Sequence, residues 1–251
     1  MFYALIVIAG AVGFFIGAVG IGGILLIPAL NLLAGLSIHE ASATALFTFF
    51  FTGLVGTYAF HRHGSISWKI AAPVCAGAAA FSFLGAKVNW MVDAWLLNLI
   101  VALLVVFAGA YIFAPKRLLG SERDGRSLPQ QFLLLGVGAM SGFGSGLSGA
   151  GGPLFSVPIM VMLGFFPLIA IGTSQVIQII AAASGSLGHL MYGSIDFSIA
   201  LWITGFELAG VLIGVRVAHV VRTERLRAMI AGLCITVGGA MLVKTVLFDA
   251  G

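Results

Sequence analysis

Two glycine-rich stretches, Gly20-Ile21-Gly22-Gly23 and Gly149-Ala150-Gly151-Gly152, interrupt apolar runs and precede short ones. Glycine permits a sharp turn and lets a ligand approach the backbone. The free N–H groups and the dipole at a following helix start favour an anion. Two such starts aimed at one point would cradle a small anion. The competing reading is close helix packing through small residues. Hydrogen-bonding side chains stand beside or downstream of each stretch: Thr44 after the first, Ser148 directly before the second and Thr173, Ser174, Gln175 and Gln178 after it. A spacing of three places Gln175 and Gln178 on one helix face. An unpaired amide in lipid is costly, so both are expected to face a polar cavity. For Thr44 and Thr173 a bond to their own helix backbone is the plain alternative.

Few positions are more costly for a carboxyl than that of Glu207, in the middle of an apolar run. It is read as a proton-coupling group, against the alternative of a neutral carboxyl bonded to a neighbouring helix. His189, about one turn from the end of its run, could relay a proton or bind an anion; a packed histidine is the simpler reading. Lys87 and Arg216 end two apolar runs and could attract anions to a gate, or simply snorkel to the interface. Gly146-Leu147-Ser148-Gly149 has the GxSG form of intramembrane serine proteases, and Ser148 with His189 could form a dyad. The repeat described below accounts for these glycines without proteolysis, so no catalytic residue is assigned.

These residues must be held by membrane helices. The chain has 251 residues, 12 basic and 8 acidic, with 61% hydrophobic and only 8% charged. Soluble domains carry about 25% charged residues. There is too little polar surface to coat a water-soluble globule, which leaves a multi-spanning membrane protein. Cys75 and Cys234, both in apolar runs, are read as packing residues rather than a disulfide framework. The opening Met1-Phe2-Tyr3-Ala4 lacks a basic region and is read as the start of a membrane helix. The net charge of +4 sits in short loops, which points to topology and away from nucleic acid. No nucleotide motif, cofactor or metal set is expected.

One offset of 129 residues aligns the two halves without a gap. Gly17, Gly20, Gly22 and Gly23 match Gly146, Gly149, Gly151 and Gly152; Thr44 matches Thr173; Gly64-Ser65-Ile66 matches Gly193-Ser194-Ile195; Lys87 matches Arg216. Each half holds five apolar segments, near 3–19, 23–35, 39–60, 67–87 and 95–114, then 131–147, 152–164, 168–192, 197–218 and 226–247. The expected organisation is a membrane repeat over 1–115, a cytoplasmic linker over 116–128, and a second repeat over 129–251.

If the chain alternates sides, one side collects Arg62, Lys69, Lys116, Arg117, Arg123, Arg126, Arg216, Arg222, Arg225 and Arg227, and the other only Lys87 and Lys244. The first side should be cytoplasmic, with both termini on the opposite, periplasmic side. Five segments per half is odd, so the halves insert oppositely. The fold class is all-α: two inverted-topology repeats, about 8–10 transmembrane helices in all. Segments 23–35 and 152–164 reach only about 20 Å against a hydrocarbon core of about 30 Å. Segments one and two of each half therefore form a hairpin dipping into the membrane, the reading preferred here, or both cross.

Gly17-Ala18-Val19-Gly20-Ile21-Gly22-Gly23 with Pro28, Gly35 and Ala43-Thr44, and Gly146-Leu147-Ser148-Gly149-Ala150-Gly151-Gly152 with Pro158, Gly164 and Gly172-Thr173-Ser174, resemble the TauE/SafE family of sulfite-exporter-like permeases. The resemblance covers nearly the whole chain. It implies transport of small anions, especially sulfite and organosulfonates, across the bacterial inner membrane. Repeat one has Ala43-Thr44-Ala45 where repeat two has Gly172-Thr173-Ser174, which tilts the polar site toward the second half. The combined expectation is a secondary transporter driven by an ion or substrate gradient, with the bilayer, a small anion and a proton as partners. A passive anion channel and a membrane anchor are the alternatives.

Overall fold

The computed structural model describes residues 2–93 and 128–247, with isolated positions 95, 96, 99, 102, 103, 106 and 110 between them. The fifth segment of the first half and the linker with its basic residues lie largely outside the described residues, as do the side chains of Pro28, Arg227 and Cys234. The described chain is helical: α1 (Phe2–Val19), a short 3-10 turn (Gly23–Leu25) leading into α2 (Leu26–Ala34), α3 (Ile38–Arg62), α4 (Trp68–Asn89), α5 (Leu128–Ser148), α6 (Pro153–Met162), α7 (Pro167–Tyr192), α8 (Phe197–Val220) and α9 (Thr223–Leu247). Among the described residues, α3, α4, α7 and α8 are each long and apolar enough to cross a bilayer.

Local chemistry sets the helix starts. Ser37 and Glu40 form a capping box on α3, with Glu40 N–H to Ser37 Oγ at 3.2 Å and Ser37 N–H to Glu40 Oε2 at 3.1 Å. Asp196 caps α8 through Ile199 N–H at 2.9 Å. The short helices α2 and α6 end at Gly35 and Gly164, repeat mates with φ of +73° and +95°, the left-handed conformation suited to a helix end.

Packing across the halves is crossed. α1 lies along α8, and α4 lies along α5. Both pairs run parallel, because successive contacts climb together: Gly13 meets Glu207 and Gly17 meets Val211 in one pair, while Gly138 meets Val74, Gly142 meets Ala78 and Gly146 meets Ser82 in the other. These glycines let backbones touch, as membrane helices favour. A Cβ on Gly13 would lie 2.0 Å from the Glu207 carbonyl oxygen, and one on Gly142 2.6 Å from Ala78 Cα.

Helix ends sort into two faces. At one, Ser194 donates to Glu40 at 3.0 Å and the Asp196 N–H donates to Thr44 Oγ1 at 3.0 Å. At the other, the Ser67 N–H donates to Thr173 Oγ1 at 3.2 Å, and Ser65 bonds His219 at 2.9 Å. Hence α3 runs opposite to α7, and α4 opposite to α8. The first face has the start of α1 and the start of α3, so the α1–α2 hairpin returns to the face it left. The α5–α6 hairpin does the same from the other face. Arg62, Lys69, Arg216, Arg222 and Arg225 lie toward that second face, Lys87 and Lys244 toward the first.

Candidate functional site

The two glycine breaks meet in the interior. After α1, Gly20 takes φ +77°, and after α5 its mate Gly149 takes φ +69°; these values are open to glycine and strained for other residues. The chain then folds back, and a Cβ on Gly23 would lie 2.3 Å from the Ala150 carbonyl oxygen. The starts of α2 and α6 thus converge from opposite sides. Between them sits Phe49 of α3, fully buried, its ring against both Gly23 and Gly151. Gln178 of α7 closes the other flank: Gly152 packs against its Cα, and its Nε2 donates to the Phe49 carbonyl at 2.9 Å and to Thr52 Oγ1 at 2.7 Å. Phe49 and Gln178 are separated by 129 residues, so they are repeat mates in direct contact.

Gln175, one turn earlier on the same face, donates from Nε2 to the Ile16 carbonyl at 3.0 Å, while its Oε1 is buried without a hydrogen-bond partner beside Gly56. Both glutamines, expected at a polar cavity, are thus fully enclosed and bonded to the first half. Each ties α7 to a backbone carbonyl that sequence alone does not identify. Ser174 shares a 2.8 Å bond with Ser156 of α6. Thr44 and Thr173 do not join this centre. Each accepts the N–H that opens a helix of the opposite half, Asp196 before α8 and Ser67 before α4. Asp196 and Ser67 are themselves repeat mates, so the two bonds are equivalent by the repeat.

Glu207 on α8 is completely buried, and neither carboxyl oxygen has a hydrogen-bond partner. The Thr48 hydroxyl on α3 stands close by, itself donating to the Ala45 carbonyl at 2.8 Å. An ionised carboxylate in such a place is an uncompensated buried charge, costing several kcal/mol.

His189 is fully engaged. Trp90 Nε1–H can only donate, so His189 Nδ1 accepts at 3.0 Å, and Nε2–H donates to the Gly146 carbonyl at 3.1 Å. Ser148 donates to the Gly144 carbonyl at 2.6 Å and accepts from the Ala150 N–H at 3.2 Å. The bonding shows no Ser148–His189 pair. Lys87 and Arg216 are both exposed, Lys87 lying 5.7 Å from the Tyr192 ring centre. Phe49, Thr48, Thr52 and Trp90 escaped the sequence reading. The offset contained a signal for the first, since it pairs Phe49 with Gln178, and Thr44, Thr48 and Thr52 stand four apart on one face of α3.

The sequence profile described as "Sulfite exporter TauE/SafE" matches residues 5–241. The probable membrane transporter protein YdhB of Bacillus subtilis is 28% identical over 232 residues, covering 90% of this chain and 94% of the relative. The probable membrane transporter protein YunE of the same organism is 26% identical, covering 96% of each chain. The probable membrane transporter protein YfcA of Escherichia coli is 27% identical, covering 97% of this chain and 88% of the relative. No solved structure matches the chain.

Proposed function

From the premise that this chain belongs to the sulfite exporter TauE/SafE family, a family of membrane transporters, we propose that it is a secondary transporter for a small anion, a sulfur oxyanion such as sulfite or an organosulfonate. The observation that supports this reading is the convergence of the α2 and α6 starts on one buried point beside Gln178. Half-helix N-termini at mid-depth suit an anionic group. Gly20, Gly22, Gly23, Ser148, Gly149, Gly151 and Gly152 shape the approach. Gln175 and Gln178 turn their amides to the anion when their present carbonyl partners separate. Ser174 opens to it as α6 moves, while Thr44 and Thr173 hold the surrounding helices in register from the two faces.

The crossed packing supports alternating access. The α1–α2 hairpin opens on one face and the α5–α6 hairpin on the other, so rocking of one half against the other exposes the central point to each face in turn. Glu207 supplies the coupling: it holds a proton while its site is dry and exchanges it when hydrated. His189 fixes the α5–α7 contact on the first face, with Lys87 and Arg216 attracting anions toward opposite entrances. The excess of arginine and lysine on the second face supports a cytoplasmic position for that face in a bacterial inner membrane, with both termini periplasmic.

The test is uptake of labelled sulfite, sulfoacetate and taurine into proteoliposomes, with and without a pH gradient, for wild type and Glu207→Gln. Saturable uptake of one anion, stimulated by the gradient in wild type only, is the expected result. Absence of saturable flux in folded protein would remove the sulfur-anion assignment. Flux that never saturates would replace the transporter with a channel.

A further inference from the structure

α3 has four phenylalanines in five positions, at 47, 49, 50 and 51. Three of them form edge contacts with one another, Phe47 with Phe51 at 5.4 Å and Phe50 with Phe51 at 5.4 Å between ring centres, and Phe47 also meets Phe197 at 5.2 Å. Phe49 alone among them is fully buried and turned to the two glycine breaks. A Cβ on Gly23 would lie 2.6 Å from its ring, and one on Gly151 3.2 Å. Glycine at these places is what leaves room for a phenyl group between the starts of two short helices.

The helix segment that holds this ring has an altered bonding pattern. The Ala45 carbonyl also accepts the Thr48 hydroxyl, at 2.8 Å. The Phe49 carbonyl also accepts the Thr52 hydroxyl at 3.2 Å and Gln178 Nε2 at 2.9 Å. Side-chain donors added to helix carbonyls favour bending at that turn. Gln178 therefore couples the position of the ring to α7 of the opposite half. A parting of the halves that frees the Phe49 carbonyl from the Gln178 amide would relax the turn around Phe49 and move its ring off the two helix starts.

We propose that Phe49 is the gate of the central site and sets the size of anion it admits. This rests on the reading of that site as anion-binding. A phenyl group between two partly positive helix ends displaces water and anions alike. A compact anion needs a small displacement of the ring, and an organosulfonate with a carbon chain needs its removal.

The experiment compares wild type with Phe49→Leu, Phe49→Ala and Phe49→Trp in proteoliposomes. It reads the uptake ratio of sulfoacetate or taurine to sulfite, together with passive chloride leak. Folding is checked by monodispersity and melting; Phe49→Leu keeps most of the packed volume and stands if Phe49→Ala does not fold. The expected result is a rise of about tenfold or more in the ratio for Phe49→Leu, the order of discrimination a methylene-sized change in a packed site can supply, a fall for Phe49→Trp, and chloride leak in the smaller variants. Wild-type ratios and wild-type tightness in folded Leu and Trp variants would overturn the gate while leaving the anion reading intact. No saturable sulfur-anion uptake in wild type, with chloride leak in Phe49→Leu, would remove the substrate class and uphold the gate. Neither uptake nor leak would overturn both.

Discussion

The α1–α8 and α4–α5 contacts are the same joint built twice. Gly13 meets the backbone of Glu207 in one, and its mate Gly142 meets the backbone of Ala78 in the other, with the helices parallel in both. Glu207 and Ala78 are themselves repeat mates. The backbones approach alike, yet one joint encloses a carboxyl with no hydrogen-bond partner and the other a methyl group. The comparison separates two tasks. Glycine sets how near the helices come, and one non-glycine position decides whether the joint encloses a carboxyl or a methyl group. The unmatched residue is informative because its twin shows that the packing itself needs no carboxyl.

The largest expected effect attacks what the joints share. Valine at Gly13 or Gly142 forces a Cβ into the facing backbone, which cannot yield as a flexible side chain would, at about 3 kcal/mol. Melting in detergent should show both losses, with Gly13→Val the worse because its approach is the tighter, 2.0 against 2.6 Å. Equal tolerance of both would mean that the helices separate more readily than their contacts imply.

The next effect attacks what they do not share. Glu207→Gln should lower gradient-driven accumulation by about tenfold or more, equivalent to about 1.4 kcal/mol, with melting unchanged. Ala78→Ser, a small change at the matched place, should leave accumulation and its pH dependence as they are. If the two behaved alike, the carboxyl would be a packing group.

The smallest effect concerns the paired threonine bonds. Thr44→Val leaves the Asp196 N–H unbonded, and Thr173→Val leaves the Ser67 N–H unbonded. Each should cost about 1 kcal/mol. Because the two bonds lie at opposite faces, the double variant should show the sum. A large excess over the sum would mean that the two ends of the molecule are mechanically linked.

Much of this architecture was legible because the sequence carries the same glycines twice. The two short helices follow from segments 23–35 and 152–164, and the two faces from the placement of Arg62, Lys69, Arg216, Arg222 and Arg225 against Lys87 and Lys244. The site was legible only in part. Gln175 and Gln178 stood out because amides are rare in apolar runs. Phe49 did not, since a phenylalanine among phenylalanines has no compositional mark, and only the fold shows its ring against Gly23 and Gly151. The two threonines had the right chemistry for a ligand, but their partners are helix-opening N–H groups more than a hundred residues away.

The sequence by itself determined that the chain lives in a bilayer, that the same glycines recur at one offset, and that a carboxyl and two amides must be accommodated at depth. Hydropathy, periodicity and charge are properties of residue types and their spacing, so they survive without coordinates. Only the tertiary structure decided that repeat mates Phe49 and Gln178 touch, that Thr44 and Thr173 brace opposite helix starts, and that Glu207 lacks a partner. Those facts depend on which surfaces of two antiparallel halves come within about 3 Å of each other, and crossed packing brings together residues that no local pattern relates.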